Sequence, residues 1–156
     1  MTIAEDSELW PYVSYTPDMS EADKEQCLGF DYVINKGFNS DVLSYMETDP
    51  IMRAGKHDEL TVSTIYQYRE RYILSISHSD VDFGKGGLVN RMPGKLEDKY
   101  ANLRCFYGYM MSHPGNKQVF MGQDVGDAAG FDGMTVLDTC TTDDERRFSE
   151  YMKGLM

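Results

Sequence analysis

Apolar positions along the chain follow two rhythms. Short blocks rich in β-branched and aromatic residues predict strands at Thr2-Ile3-Ala4, over 30–34, over 72–77 and over 117–121, the last broken at Gly122. Between them the spacing turns helical. A short helix is predicted from Asn39 or Ser40, either of which can cap it, through Met46, with Asp49-Pro50 as its stop. A second helical stretch covers about 58–68. The clearest helix runs over 96–112, where Leu96, Tyr100, Leu103, Tyr107 and Met110 recur every three or four residues. Pro93-Gly94 precedes it and His113-Pro114-Gly115 closes it. Thr142 to Glu145 has the form of a capping box, and Phe148, Tyr151, Met152 and Leu155 line one face of a terminal helix. Residues 14–27 are polar, acidic and contain Pro17, which reads as a long surface loop with at most one helical turn.

Strands separated by helices at this interval predict βαβ units and a parallel sheet, hence an α/β fold. The 156 residues supply one core, so a single domain over 1–156 is expected. Fifteen Lys+Arg against 26 Asp+Glu leave a net charge of −11, which repels phosphate backbones and argues against a nucleic-acid partner. No run approaches the roughly 18 apolar residues of a membrane span. The opening residues lack a charged-then-apolar leader, so no membrane association and a cytoplasmic location are expected. Cys27, Cys105 and Cys140 are scattered and form no C-x-x-C pair, which fits a reducing compartment better than a disulfide frame or zinc site.

In parallel α/β folds reactive groups collect just past the carboxyl ends of strands. Here Thr2-Ile3-Ala4 runs into Glu5-Asp6, the 72–77 block into His78-Ser79-Asp80, and Val119-Phe120-Met121-Gly122 into Gln123-Asp124. A carboxylic acid near an apolar neighbour such as Trp10 can keep its proton near neutrality and act as a general acid. A histidine beside it can hydrogen-bond a hydroxyl-rich ligand. Acidic residues after strands are also ordinary helix caps, and these pairs alone favour that plainer reading. Gly84-Lys85-Gly86-Gly87 lacks the spacing and the Ser/Thr of a phosphate loop and reads as a flexible turn. The histidines stand too far apart for a helix-borne metal pair, so neither metal nor cofactor is expected.

The strand-end residues become specific in series. Thr2-Ile3-Ala4-Glu5-Asp6-Ser7 followed by Trp10-Pro11 resembles the strand-five motif of the 1,4-alpha-glucan (glycogen) branching enzymes of the alpha-amylase class. Leu28-Gly29-Phe30-Asp31-Tyr32 with Asn35 and Gly37 resembles the strand-six region. Asp49-Pro50-Ile51, Arg53, Leu60-Thr61, Tyr66, Tyr68 and Glu70 are similar to the segment leading to strand seven. Ser77-His78 and Gly84-Lys85-Gly86 fall where the family has its strand-seven motif. Met92-Pro93-Gly94, Tyr100 to Arg104, His113-Pro114-Gly115, Phe120 to Gln123, Leu137-Asp138 and Arg146-Arg147 continue the likeness in order.

The resemblance implies part of a (β/α)8 TIM barrel, roughly strands five to eight with their helices, from a retaining enzyme. Such an enzyme cleaves an α-1,4 glucan and re-attaches the cut chain through an α-1,6 link, using an aspartate nucleophile and a glutamate acid/base. It implies that Glu5 is the catalytic acid/base and that His78, with Trp10 and Asp80, binds substrate. Two departures stand out. The nucleophile belongs to the strand before Glu5, and a full barrel takes about 250 residues. Ser79 stands where the family has its stabilising aspartate, and Asp80 follows it. Adjacent strand residues face opposite ways, so Asp80 replaces that group only if the backbone bulges. The expectation is a chain that is nearly inactive alone, with an alpha-glucan as ligand and a companion chain supplying the N-terminal half-barrel as partner. A non-catalytic glucan-binding module and a vestigial half-barrel are the alternatives.

Overall fold

A computed structural model describes residues 1–5, 10–82, 84–129, 131 and 142–156. Asp6, Ser7, Leu137, Asp138 and Cys140, used above, lie outside the described residues. In chain order the elements are β1 (Ile3–Ala4), α1 (Glu21–Gln26), β2 (Tyr32–Ile34), α2 (Lys36–Glu47), α3 (His57–Thr61) and α4 (Ser63–Tyr66). They continue with β3 (Tyr72–Ser75), α5 (Leu88–Arg91), α6 (Leu96–Ser112), β4 (Asn116–Gln118) and α7 (Asp143–Leu155). Single 3-10 segments, Pro50–Lys56 and His78–Asp80, precede α3 and follow β3.

The four strands form one sheet in the order β1-β2-β3-β4, and every neighbouring pair is parallel. The register sets Ile3 against Tyr32, Val33 against Tyr72, and Ile73 against Asn116. Strand order therefore follows chain order, with helices in each connection after β2, which is the α/β arrangement expected from the sequence. All of β3 is buried, as a central parallel strand must be.

One apolar core joins α2 (Phe38, Val42), β3 (Leu74), α6 (Leu103, Tyr107) and α7 (Phe148). A smaller cluster of Val13, Val33 and Tyr72 lies beside it. Helix α6 has the predicted bounds, but its buried face takes in Phe106 while Leu96, in its first turn, is exposed. Helix α7 starts on the predicted reciprocal cap: Thr142 N donates to Glu145 Oε2 (2.9 Å) and Glu145 N to Thr142 Oγ1 (3.2 Å).

Other boundaries differ for local reasons. Helix α2 begins at Lys36, capped by Asn35 instead of Asn39 or Ser40, because the Asn35 side chain accepts from Phe38 N (2.9 Å). The 58–68 stretch is broken into α3 and α4. Strand β4 ends at Gln118, and the chain turns over 121–126. Within the 14–27 loop, Ser14 bridges Phe30 and Ser20 caps the two-turn α1. In the 84–87 turn Gly84 and Gly86 take φ of 105° and 72°, and a Cβ on Gly87 would collide with the Asp127 carbonyl.

Candidate functional site

The carboxyl ends of the strands open into one cavity of about 750 Å³. Each strand contributes to it: Glu5 follows β1, Lys36 follows β2, Ser77 to Asp80 follow β3, and Gln118 closes β4. Parallel strands bring their ends together at one rim, so residues far apart in sequence become neighbours there. Glu5 and His78, far apart in the sequence, line the same space.

Glu5 is exposed and is held by Lys36, whose Nζ lies 2.6 Å from its Oε1. The hydrogen bond and charge of Lys36 hold the Glu5 carboxyl below its ordinary value, and His78 adds a smaller pull the same way. This corrects the expected environment: a cation, not an apolar wall, sets the proton affinity of Glu5.

His78 opens the 3-10 turn, its ring 6.4 Å from that of Phe120. Asp80 closes the turn and folds back on it, its Oδ2 accepting from Ser77 N (2.8 Å) and Ser77 Oγ (3.0 Å). The Ser77 and Ser79 hydroxyls are 2.8 Å apart. So the 3-10 turn, rather than a bulge, carries Asp80 to the cavity, and one of its oxygens serves as a cap. Arg91 holds the far side, donating to the Asp80 carbonyl (2.9 Å) and pairing with Glu47.

Trp10 is elsewhere. It is 62% exposed and lines a second cavity with Tyr12, Tyr68 and Tyr72, where β3 begins. Gln123 is likewise structural, being buried and accepting from Leu88 N (3.2 Å) through Oε1. Of the lining, Lys36, Asn39 and Gln118 are polar residues that the sequence does not single out as site residues. The first was within reach, since it follows directly on a predicted strand end. Asn39 is buried and its Oδ1 has no hydrogen-bond partner among the described residues, a group that a ligand hydroxyl entering the cavity can satisfy. Among the described residues no cluster of His, Cys, Asp and Glu could hold a metal ion, and no helix is long and apolar enough to cross a membrane.

The fold and the cavity define an α/β protein with an acid–histidine pair at the carboxyl rim of a parallel sheet. Its relatives narrow that class. The 1,4-alpha-glucan branching enzyme GlgB 1 of Rhizobium johnstonii is 48% identical over 124 residues, 80% of this chain and 16% of that protein. The branching enzyme GlgB of Bacillus caldolyticus is 42% identical over 156 residues, 99% of the chain and 22% of that protein. That of Halothermothrix orenii is 44% identical over 126 residues, 81% of the chain and 19% of that protein. No protein-family model matches the chain. The chain is homologous to the 1,4-alpha-glucan branching enzymes and belongs with that family, spanning about a fifth of the length of the relatives it matches.

Proposed function

We propose that this chain is the strand-five-to-eight portion of a (β/α)8 barrel and carries half of a glucan-branching site. Glu5 is its acid/base residue, and His78 is a sugar-binding residue. The observation that carries the reading is the convergence of Glu5 and His78 on one cavity at the carboxyl rim of sequentially ordered parallel strands.

In the retaining scheme an aspartate attacks the anomeric carbon of an α-1,4 glucan while Glu5 gives its proton to the departing O4. Glu5 then takes the proton from the 6-hydroxyl of an acceptor chain, which attacks the glycosyl-enzyme and makes the α-1,6 link. The nucleophile comes from the complementary half of the barrel. Lys36 keeps Glu5 ionised, the form suited to the second step. For the first step the ammonium must be displaced or the carboxylate reprotonated as glucan enters.

The test is complementation. The chain is mixed with a polypeptide supplying the first four β/α units of a homologous barrel, and new α-1,6 linkages in amylose are counted by proton NMR. Branching above either half alone, abolished by Glu5→Gln, is the expected result. A mixture that leaves amylose linear, in which both chains are folded and associated, overturns the catalytic reading and leaves a glucan-binding or vestigial half-barrel.

A further inference from the structure

One wall of the strand-end cavity is a face of helix α2. Asn39, Leu43 and Glu47 recur every four residues along it, with Ser40 and Ser44 in the adjoining column, and all five line the cavity. Residues four apart stack on one side of a helix, so this wall runs for about 12 Å, longer than one sugar ring. Neither Glu5 nor His78 belongs to it.

The wall contains one unbalanced group. Asn39 is only 6% exposed, yet its Oδ1 has no hydrogen-bond partner among the described residues. A buried acceptor without a donor costs the fold stability, and a leucine of nearly the same shape would fill the position without that cost. Polar groups around it are satisfied. Asn35 Oδ1 accepts from Phe38 N, Ser44 Oγ accepts from Lys56 Nζ (3.3 Å), and Ser75 Oγ donates to Gln118 Oε1 (2.9 Å). An open acceptor among satisfied neighbours, at the edge of a cavity, is the kind of local inconsistency that folds retain at binding sites.

The chemistry selects a class of ligand. An amide oxygen only accepts, so the ligand atom that meets it must carry a hydrogen, as a hydroxyl or an amine does. Charge separates the two. Each Lys and Arg of the lining is paired: Lys36 with Glu5, Lys56 with Glu59, Lys85 with Asp82 and Arg91 with Glu47. Asp80, the remaining carboxylate of the lining, is engaged as the cap of its own turn. Charges balanced in this way draw neither an ammonium nor an anion to the wall, which leaves a neutral hydroxyl as the donor. We infer that Asn39 is a ligand-binding residue, its Oδ1 accepting from a hydroxyl of a glucan that lies along α2. Recognition then extends past Glu5 and His78 onto the helix. The choice of a glucan rests on the proposed function; the demand for a neutral hydroxyl donor rests on the geometry.

The test is a titration of the whole chain with maltotriose, followed by nitrogen-15 NMR of the Asn39 side-chain amide, whose signals are assigned by their loss in Asn39→Leu. A saturable shift of those signals is expected, with the His78 ring signals moving in step because they report the same cavity. Asn39→Leu is expected to weaken maltotriose binding, read at His78, by about 5-fold, and Asn39→Asp, which keeps an acceptor there, to retain most of the affinity. In urea the midpoint of Asn39→Leu is expected to equal or exceed that of the parent, since the substitution removes an unsatisfied group. Asn39 signals that stay still while those of His78 move overturn the inference, as does Asn39→Leu binding as tightly as the parent. A clearly lower urea midpoint in Asn39→Leu also overturns it, by showing that the amide oxygen is already bonded within the fold. In the complemented barrel, branching that is undiminished by Asn39→Leu sinks this inference alone. Maltotriose bound at Asn39 without branching sinks only the catalytic reading.

Discussion

At the scale of single residues the pair Glu5–Lys36 governs the chemistry proposed for the strand-end cavity. A carboxylate 2.6 Å from an ammonium is favoured in its charged form, and His78 adds a smaller pull in the same direction. The sign follows directly. The folded-state proton affinity of Glu5 is depressed, so the pair's contribution to stability is present above the unfolded-chain carboxylate range. That contribution is lost as pH falls through the folded value. Lys36→Met is expected to return the Glu5 carboxyl toward its ordinary value, read by carbon-13 NMR titration of the side chain. In the complemented barrel the same change is expected to move the alkaline limb of the branching rate to higher pH, because the general acid keeps its proton longer. An unchanged Glu5 titration in Lys36→Met would show that the ion pair does not persist in solution. The sequence exposed the position of Glu5 but not its partner. A strand-end rule identifies which residues reach the rim, while the charge facing each one depends on register between strands nearly thirty residues apart.

At the scale of elements, legibility tracks how local the determinants are. Helices α6 and α7 were readable because an apolar stripe, flanking Pro and Gly, and a capping box all lie within their own sequences. Helix α2 starts earlier than the sequence predicts because Asn35, like Asn39 and Ser40, is a residue type that can cap a helix. The deciding interaction is the single bond from Phe38 N to the Asn35 side chain. That cap also fixes where Lys36 emerges, next to the end of β2, so it links helix geometry to the cavity. Asn35→Ala is expected to cost about 1 kcal/mol of stability, measured as a lower urea midpoint, and Asn35→Ser to recover most of it. A midpoint unchanged by Asn35→Ala would mean that tertiary packing of Phe38 and Val42, not the cap, sets the start of α2. Trp10 was misplaced for a related reason. The sequence shows a loop after β1 but not its direction, which is fixed at long range by the Glu70 carboxylate gripping Val13 and Ser14.

At the scale of the whole molecule the question is whether the two cavities belong to one cooperative unit. The sheet has two apolar clusters, and β3 belongs to both: Tyr72 packs with Val13 and Val33, while Leu74 sits in the main core with α2, α6 and α7. Two residues of one four-residue strand thus couple the loop that carries Trp10 to the helices that back the strand-end cavity. Leu74 is fully buried, so Leu74→Ala leaves a void that the surrounding rings fill only in part, at a cost of about 2–5 kcal/mol. If the chain folds as one domain, that loss must appear equally in every probe. Thermal unfolding followed by Trp10 emission, which senses the loop, and by far-ultraviolet circular dichroism, which senses mostly the helices, is expected to give coincident transitions in the parent. Both are expected to shift down together in Leu74→Ala. Curves that separate, with Trp10 emission keeping its parental midpoint while the helices melt early, would divide the molecule at β3. The loop that carries Trp10 would then be a locally stable patch with no mechanical tie to the opposite end of the strands, a piece of the fold that can survive without the rest.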